Sequence, residues 1–224
     1  MSPYDWAHLA QEDGRFSYTK DGAPASRTGI DVSDHQGAID WEAVAADGID
    51  FAMVRLGYRG STEGNIYMDE EYEANLEGAR SAGMLVGVYF FSQATNEEEA
   101  REEADFVIGN LDGASLDYPV AYDHEPVTGG GRANSLSGSQ LTKNAQAFCQ
   151  RIQEAGYTPM VYGNNADISK LDLGALGAYE VWFAEYGTSA PTGQFDFTMW
   201  QYTNNGSVAG IGTGVDMNIH FLEP

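Results

Sequence analysis

The run Met84-Leu-Val-Gly-Val-Tyr-Phe-Phe91 is apolar on both of its alternating faces. A strand of that kind is buried on both sides, as in a parallel sheet covered by helices or closed on itself. It lies between two helix patterns. Residues 69–82 place Tyr72, Leu76 and Ala79 on one face and stop at Gly83. Residues 96–111 begin with Asn96 as N-cap and carry Glu97, Glu98 and Glu99 in the first turn, where the helix dipole favours acids.

The same alternation extends outward. Upstream, Gly29-Ile-Asp-Val-Ser33 reads as a first strand, a short helix runs from the N-cap Asp40 to a stop at Gly48, and Asp50 to Gly57 is a second strand. Downstream, Tyr118 to Glu125 is strand four, Thr128 to Ser135 a mobile glycine-rich loop, and 139–155 a long helix ending at Gly156. Strand five covers 157–162, a helical stretch 166–176, strand six 179–186 and strand seven 195–202. Asn204-Asn205-Gly206 reads as a hairpin turn before a last strand at 215–221. Strands and helices alternate at spacings near ~30 residues through strand five, as in parallel βαβ units. Eight strands, the last three with little room for helices, imply an α/β fold: one TIM-like barrel with a strand-rich C-terminal third. An open doubly wound sheet is the runner-up. It would need a glycine-rich phosphate loop after strand one, where Asp31-Val-Ser-Asp-His-Gln-Gly37 stands instead. Residues 1–28 read as an N-terminal extension packed on the barrel (29–224) through Tyr4, Trp6, Phe16 and Tyr18, with a hairpin around Asp21-Gly22.

A chain of 224 residues suffices for one large domain with a full core. Its formal charge of −23 argues against nucleic acid or anionic lipid as the main partner, because both need a basic surface. The single cysteine, Cys149, excludes an internal disulfide and reads as a small buried hydrophobe. No apolar run approaches a membrane span and the opening residues do not read as a signal peptide. Location is therefore expected from function alone.

Chemistry concentrates at the end of strand four, Tyr118-Pro-Val-Ala-Tyr-Asp-His-Glu125. Strand alternation puts Asp123 and Glu125 on one face, about 6.6 Å apart, with His124 opposite. Two adjoining acids can be driven to different pKa values, one ionised and one holding its proton. With 34 acids in the chain, roughly five such pairs arise by composition alone, so position decides. A parallel barrel carries its site at the C-terminal strand ends, where Asp31 from strand one and Asp216 from strand eight join the pair. Tyr89, Tyr162, Trp182, Tyr186, Trp200 and Gln201 supply surrounding walls suited to a sugar. The alternative for each aromatic is a place in the core, for Asp31 a turn cap and for Asp216 a structural acid. His35 and His124 lack metal-ligand spacing, and no Gly-x-Ser-x-Gly elbow supports a serine hydrolase.

These pieces together resemble the glycoside hydrolase family 25 muramidases, the Chalaropsis-type lysozymes. The resemblance rests on Gly29-Ile-Asp-Val-Ser-Asp-His-Gln-Gly with Ile39-Asp-Trp, Asp123-x-Glu125, Val181-Trp-Phe-Ala-Glu-Tyr186, and Trp200-Gln-Tyr leading to Gly214-Val-Asp-Met-Asn218, in the family's order over residues 29–222. It implies a (β/α)5β3 barrel that cleaves the β-1,4 bond between N-acetylmuramic acid and N-acetylglucosamine in peptidoglycan. It also implies Glu125 as catalytic acid, Asp123 as its partner, and Asp31 and Asp216 as active-site residues. Two positions depart from the family's pattern: His124 stands where an apolar residue is usual, and Tyr89-Phe90-Phe91 where many relatives have Tyr-His.

On this reading Glu125 protonates the glycosidic oxygen. Asp123 either steadies a 2-acetamido group that attacks the anomeric carbon, giving retention, or, with Asp31 as the other candidate, activates water for inversion. Peptidoglycan glycan strands are the expected partner of a monomer that needs no cofactor or metal, binds no nucleic acid, inserts in no membrane and is secreted or wall-associated. The rivals are a non-catalytic wall-glycan-binding protein and a chitinase-like glycosidase, whose longer acidic run is missing before Asp123.

Overall fold

A computed structural model describes residues 3–177 and 179–222. The chain opens with a small antiparallel sheet of β1 (Leu9–Glu12), β2 (Arg15–Lys20) and β3 (Ala23–Pro24). Both of its turns are Asp-Gly pairs in the left-handed region, Asp13-Gly14 and Asp21-Gly22. Then follow β4 (Ser26–Val32), α1 (Trp41–Ala46), β5 (Phe51–Arg59), β6 (Ile66–Met68), α2 (Tyr72–Ser81), β7 (Leu85–Phe91) and α3 (Glu97–Leu111). The second half comprises β8 (Val120–Asp123), α4 (Gly138–Glu154), β9 (Pro159–Asn164), α5 (Asn165–Ile168), β10 (Glu180–Ala184), β11 (Met199–Gly206) and β12 (Val215–Phe221).

Eight strands close into a barrel in the order β4-β5-β7-β8-β9-β10-β11-β12, with β12 returning to pair with β4. Seven run parallel. The closing strand β12 is antiparallel to both neighbours, β11 and β4. This closure excludes the open doubly wound sheet. β6 is an excursion, an antiparallel hairpin partner for the far end of β5. The expected caps are in place: Asp40 accepts from the Ala43 amide, and Asn96 from the amides of Glu98 and Glu99.

Four expected boundaries move, the first being strand seven, expected at 195–202 and found as β11 at Met199–Gly206. The helical stretch 166–176 contracts to α5, and Asp172 then accepts from the Ala175 amide in a chain of turns. Strand four stops at Asp123, so Glu125 lies beyond the regular strand. The Asn204-Asn205-Gly206 turn is instead the end of β11. Register shifts between Gln201 and Gly206 absorb it, and the reversal comes after Gly206.

Barrel strands point alternate residues inward. Phe51, Met53, Ala121, Met160, Trp182 and Met199 fill the interior. At Gly29 the Phe51 ring lies so close that a Cβ would stand 2.2 Å from its Cζ, so only glycine fits there. The outer faces pack under the helices, and Cys149 on α4 is completely buried among them. Where the final strands have no α-helix to cover them, aromatic side chains do so. Tyr4 lies 4.5 Å from Phe221 by ring centroids, Trp6 stacks on Phe197 at 6.0 Å, and Phe16 meets Trp200 at 4.7 Å. Each such pair contributes about 0.5–1.5 kcal/mol beyond its burial.

Candidate active site

The C-terminal ends of the parallel strands surround a cavity of about 510 Å3. Asp31 from β4, Asp123 at the end of β8, Glu125 just past it and Asp216 from β12 all line it. Asp31 and Asp216 sit directly opposite one another in the antiparallel register of β4 and β12. Tyr89, Tyr162, Trp182, Tyr186 and Gln201 form walls between them.

Trp200 is the exception among the sequence-derived residues. Alternation on β11 sends Gln201 inward and Trp200 outward, where its ring packs on Phe16 and Tyr202 and its Nε1 donates to the Glu185 carbonyl at 2.9 Å. His124 also faces away. It is largely buried among Tyr122, Leu141 and Leu171, and its Nδ1 lies 3.1 Å from the Ser92 carbonyl oxygen. Five residues that sequence reading did not place in the site also line it: Ser33, Gln36, Arg55, Phe91 and Asn204. His35, weighed only as a metal ligand, lines it too.

Two amides organise the floor. The Oε1 of Gln201 accepts from the hydroxyls of Tyr162 (2.8 Å) and Tyr186 (2.5 Å), which turns its Nε2 toward Asp31 Oδ2 at 2.7 Å. In the same way Asn218 accepts from Trp182 Nε1 at 2.8 Å and donates its Nδ2 to Asp31 Oδ2 at 2.8 Å. Asn218 is completely buried. Its signal in the sequence was available: it lies two positions after Asp216, on the same face of β12.

The electrostatics of the mouth follow from crowding. Among the described residues none of the four carboxyls takes part in an ion pair. Burial pushes Asp31 well above the usual carboxylate range and the neighbouring Asp216 adds to this, while the two amide donors oppose it. Burial followed by the charges of Glu125 and Asp31 raises Asp123. Burial lifts Glu125 to about 7, helped by Asp167 and Asp216, and lifts Asp216 to about 6. Four acids in one low-dielectric cleft cannot all ionise near neutrality, so the cluster retains protons and shares them.

Asp123 is 5% exposed, and its Oδ1 has no hydrogen-bond partner among the described residues. A buried carboxylate oxygen without a donor is costly, and Asp123 is one of the residues that line the cavity. Arg55 reaches the rim of the cavity with its guanidinium already committed, Nε to Asp69 at 2.7 Å and Nη2 to Asp34 at 2.6 Å.

The chain is 32% identical over 202 residues to lysozyme M1 of Streptomyces globisporus, covering 85% of this chain and 66% of that protein. It is 29% identical to an autolytic lysozyme of Clostridium acetobutylicum, covering 85% and 54% respectively, so it spans about two thirds and about half of these relatives' lengths. The crystal structure of a bacterial lysozyme from Streptomyces coelicolor superposes with a TM-score of 0.74 at 29% identity, over 86% of this chain and 90% of that one. The modular autolysin LytC of Streptococcus pneumoniae, solved with a synthetic peptidoglycan ligand, gives 0.78 at 25%, over 94% and 51%. Residues 30–211 match the model of glycosyl hydrolases family 25, and the chain belongs to that family.

Proposed function

We propose that the protein is an N-acetylmuramidase that hydrolyses the β-1,4 bond between N-acetylmuramic acid and N-acetylglucosamine in peptidoglycan glycan strands. Family membership and the lysozyme and muramidase names of its relatives support the reaction class. The observation that carries the reading is the unsatisfied Oδ1 of Asp123 beside a protonatable Glu125 in an aromatic-walled cleft.

In the proposed cycle Glu125 donates its proton to the glycosidic oxygen as the C1–O bond breaks. The 2-acetamido carbonyl oxygen of the sugar on the cleaved side closes on C1, giving an oxazolinium-type intermediate. Its N–H is accepted by Asp123 Oδ1. That hydrogen bond favours the ionised form of Asp123, so substrate binding moves the shared proton onto Glu125, where it is needed. Asp31 and Asp216 supply negative potential toward the developing positive charge at C1. Water then opens the intermediate, its proton returns to Glu125, and the configuration is retained.

The catalytic unit in this reading is the barrel of residues 29–224, with 1–28 as an extension packed over the helix-free strands. The enzyme acts as a monomer on the cell wall, secreted or wall-associated, without a cofactor.

Defined peptidoglycan and chitin, assayed side by side with product masses, test the substrate. Fragments ending in reducing N-acetylmuramic acid are expected from peptidoglycan. Preferential cleavage of chitin, or binding of walls without cleavage, would overturn the assignment. Following the anomer first released by NMR tests the stereochemistry: β is expected, and initial α would sink retention in favour of a water-activating carboxylate.

A further inference from the structure

Glu125 has left β8, and its carboxyl has no hydrogen bond among the described residues, so its position depends on what holds its main chain. The Glu125 carbonyl accepts from Gln93 Nε2 at 2.9 Å, and the same nitrogen donates to the Ser92 carbonyl at 3.0 Å. Gln93 is completely buried. Its own carbonyl accepts from Arg132 Nη1 at 3.2 Å.

Arg132 belongs to the glycine-rich loop that leaves Glu125 and returns at α4. Its guanidinium grips Glu99 with both prongs, Nη1 to Oε2 at 2.9 Å and Nη2 to Oε1 at 2.7 Å. Glu99 in turn accepts from the Thr95 amide at 2.7 Å and the Thr95 hydroxyl at 2.9 Å, which anchors it in the first turn of α3. The Arg132 amide donates to the Ser61 carbonyl at 2.8 Å. Gly64 lies directly beneath the guanidinium, with space for a Cβ only 2.7 Å from Cζ, so the seat is shaped to the arginine. Asn134 holds Val127 from both sides, accepting its N–H at 2.9 Å and donating to its carbonyl at 2.8 Å. The segment expected to be mobile is therefore stitched down, and one of its stitches, Arg132 to the Gln93 carbonyl, leads to Glu125.

We infer that Arg132, seated on Glu99, is a positioning residue for Glu125, acting through Gln93 to fix where the proton donor sits in the mouth. The inference rests on the proton-donor reading of Glu125. The planar two-pronged fork matters, because it sets the angle of the guanidinium and with it the height of the Gln93 carbonyl. Lysine preserves the charge but not that geometry. A displacement of the donor by about 1 Å is enough to cost on the order of a hundredfold in rate.

The test compares Arg132→Met, Arg132→Lys and Gln93→Met with the wild type on defined peptidoglycan, measuring kcat, KM, the pH dependence of kcat and thermal unfolding. For Arg132→Met the expected result is a kcat reduced about ten- to a hundredfold with KM within about twofold. The alkaline limb of its profile should also move to lower pH, because a released Glu125 relaxes toward solvent. The groups facing Glu125 stay in place in these variants: Asp123, Asp31, Asp216 and Asp167, with the Tyr162 and Tyr186 hydroxyls. Arg132→Lys should fall between the two. Gln93→Met should repeat the kcat loss while leaving the Arg132–Glu99 pair intact. A folded Arg132→Met or Gln93→Met enzyme with wild-type kcat and an unmoved limb would overturn the inference. If Arg132→Met does not fold, Gln93→Met and Arg132→Lys decide by the same readouts. A wild type that leaves peptidoglycan intact, or an active Glu125→Gln variant, would strike at the function instead.

Discussion

Two groups of buried acids in this molecule use the same chemistry to opposite ends. Elsewhere among the described residues the buried carboxylates are matched by cations, Asp69 by Arg55 at 2.7 Å, Glu103 by Arg59 at 2.7 Å and Asp167 by Lys170 at 2.9 Å, and half-buried Glu99 is gripped by Arg132. In the mouth Asp31, Asp123, Glu125 and Asp216 meet amides, phenols and one another. The sharpest contrast is between Glu103 and Glu125, because burial raises both to about 7. Glu103 is closed in, with Arg59 on one oxygen and the Ser92 hydroxyl on the other at 2.6 Å. Glu125 opens on a cavity large enough for a sugar. A raised pKa alone therefore does not mark a catalytic acid. What sets Glu125 apart, and supports the proposed role, is a carboxyl without a hydrogen-bond partner among the described residues that lines an accessible cavity.

The largest effect that would break this contrast is expected at Asp123. Asp123→Asn removes the charge that, in the proposed cycle, accepts the acetamido N–H, and should lower kcat on peptidoglycan by about a thousandfold, roughly 4 kcal/mol of barrier, with little change in unfolding temperature. A loss of less than tenfold would remove Asp123 from the reaction. On the matched side, Glu103→Leu takes a partner from Arg59 Nε and from the Ser92 hydroxyl while Glu102 and the Gly64 and Glu99 carbonyls stay on the guanidinium, and should cost about 1.5–3 kcal/mol of stability, measured by denaturant unfolding, while activity per folded molecule is kept.

Proton linkage separates Glu99 from the acids that burial raises, Glu103 as well as those of the mouth. An acid whose folded pKa is raised makes the folded state hold its proton longer, so the stability it contributes declines as pH rises from its unfolded value through the folded one. That window runs from about 4 to about 7 for Glu125 and from about 4 to about 6 for Asp216. Glu99, lowered to about 2 by the Arg132 and Thr95 hydrogen bonds against the opposing effect of burial, behaves inversely: its contribution is present above its unfolded value and fades only in strong acid. Thermal unfolding of the wild type should therefore fall between about pH 4 and about pH 7, with Glu103 contributing to the fall, and Glu125→Gln should flatten it in part. An identical slope in the variant would show that Glu125 titrates normally.

The smallest expected effect concerns the whole surface. With a net charge of −23, encounter with an anionic wall is opposed at long range. Lysis should rise a few-fold from low to physiological salt as the Debye length shortens to about 8 Å. A rate that falls monotonically over that interval would contradict this.

Much of the barrel was legible because its signals are local. The two-sided apolar run at 84–91, the caps at Asp40 and Asn96, and the glycine stops are each set by neighbours in sequence, and β7, α1 and α3 follow them. Alternation from the strand ends also brings Asp31, Asp123 and Asp216 to one mouth. What escaped depends on partners distant in sequence. The Asn-Gly signal at 205–206 was overridden by pairing with β12, whose register shifts keep the segment in the strand. Trp200 carries a sugar-binding residue type, yet Phe16 of the N-terminal extension and Tyr202 pack on its ring. The Arg132 clamp joins residues 33 apart, and no periodicity could reveal it.

The contrast between the two glutamates is tested most directly by one paired measurement: wall lysis and thermal unfolding of Glu125→Gln beside Glu103→Leu. The account predicts that Glu125→Gln folds as firmly as the wild type and leaves peptidoglycan uncut, whereas Glu103→Leu melts lower and still lyses. Wild-type lysis by Glu125→Gln would contradict it.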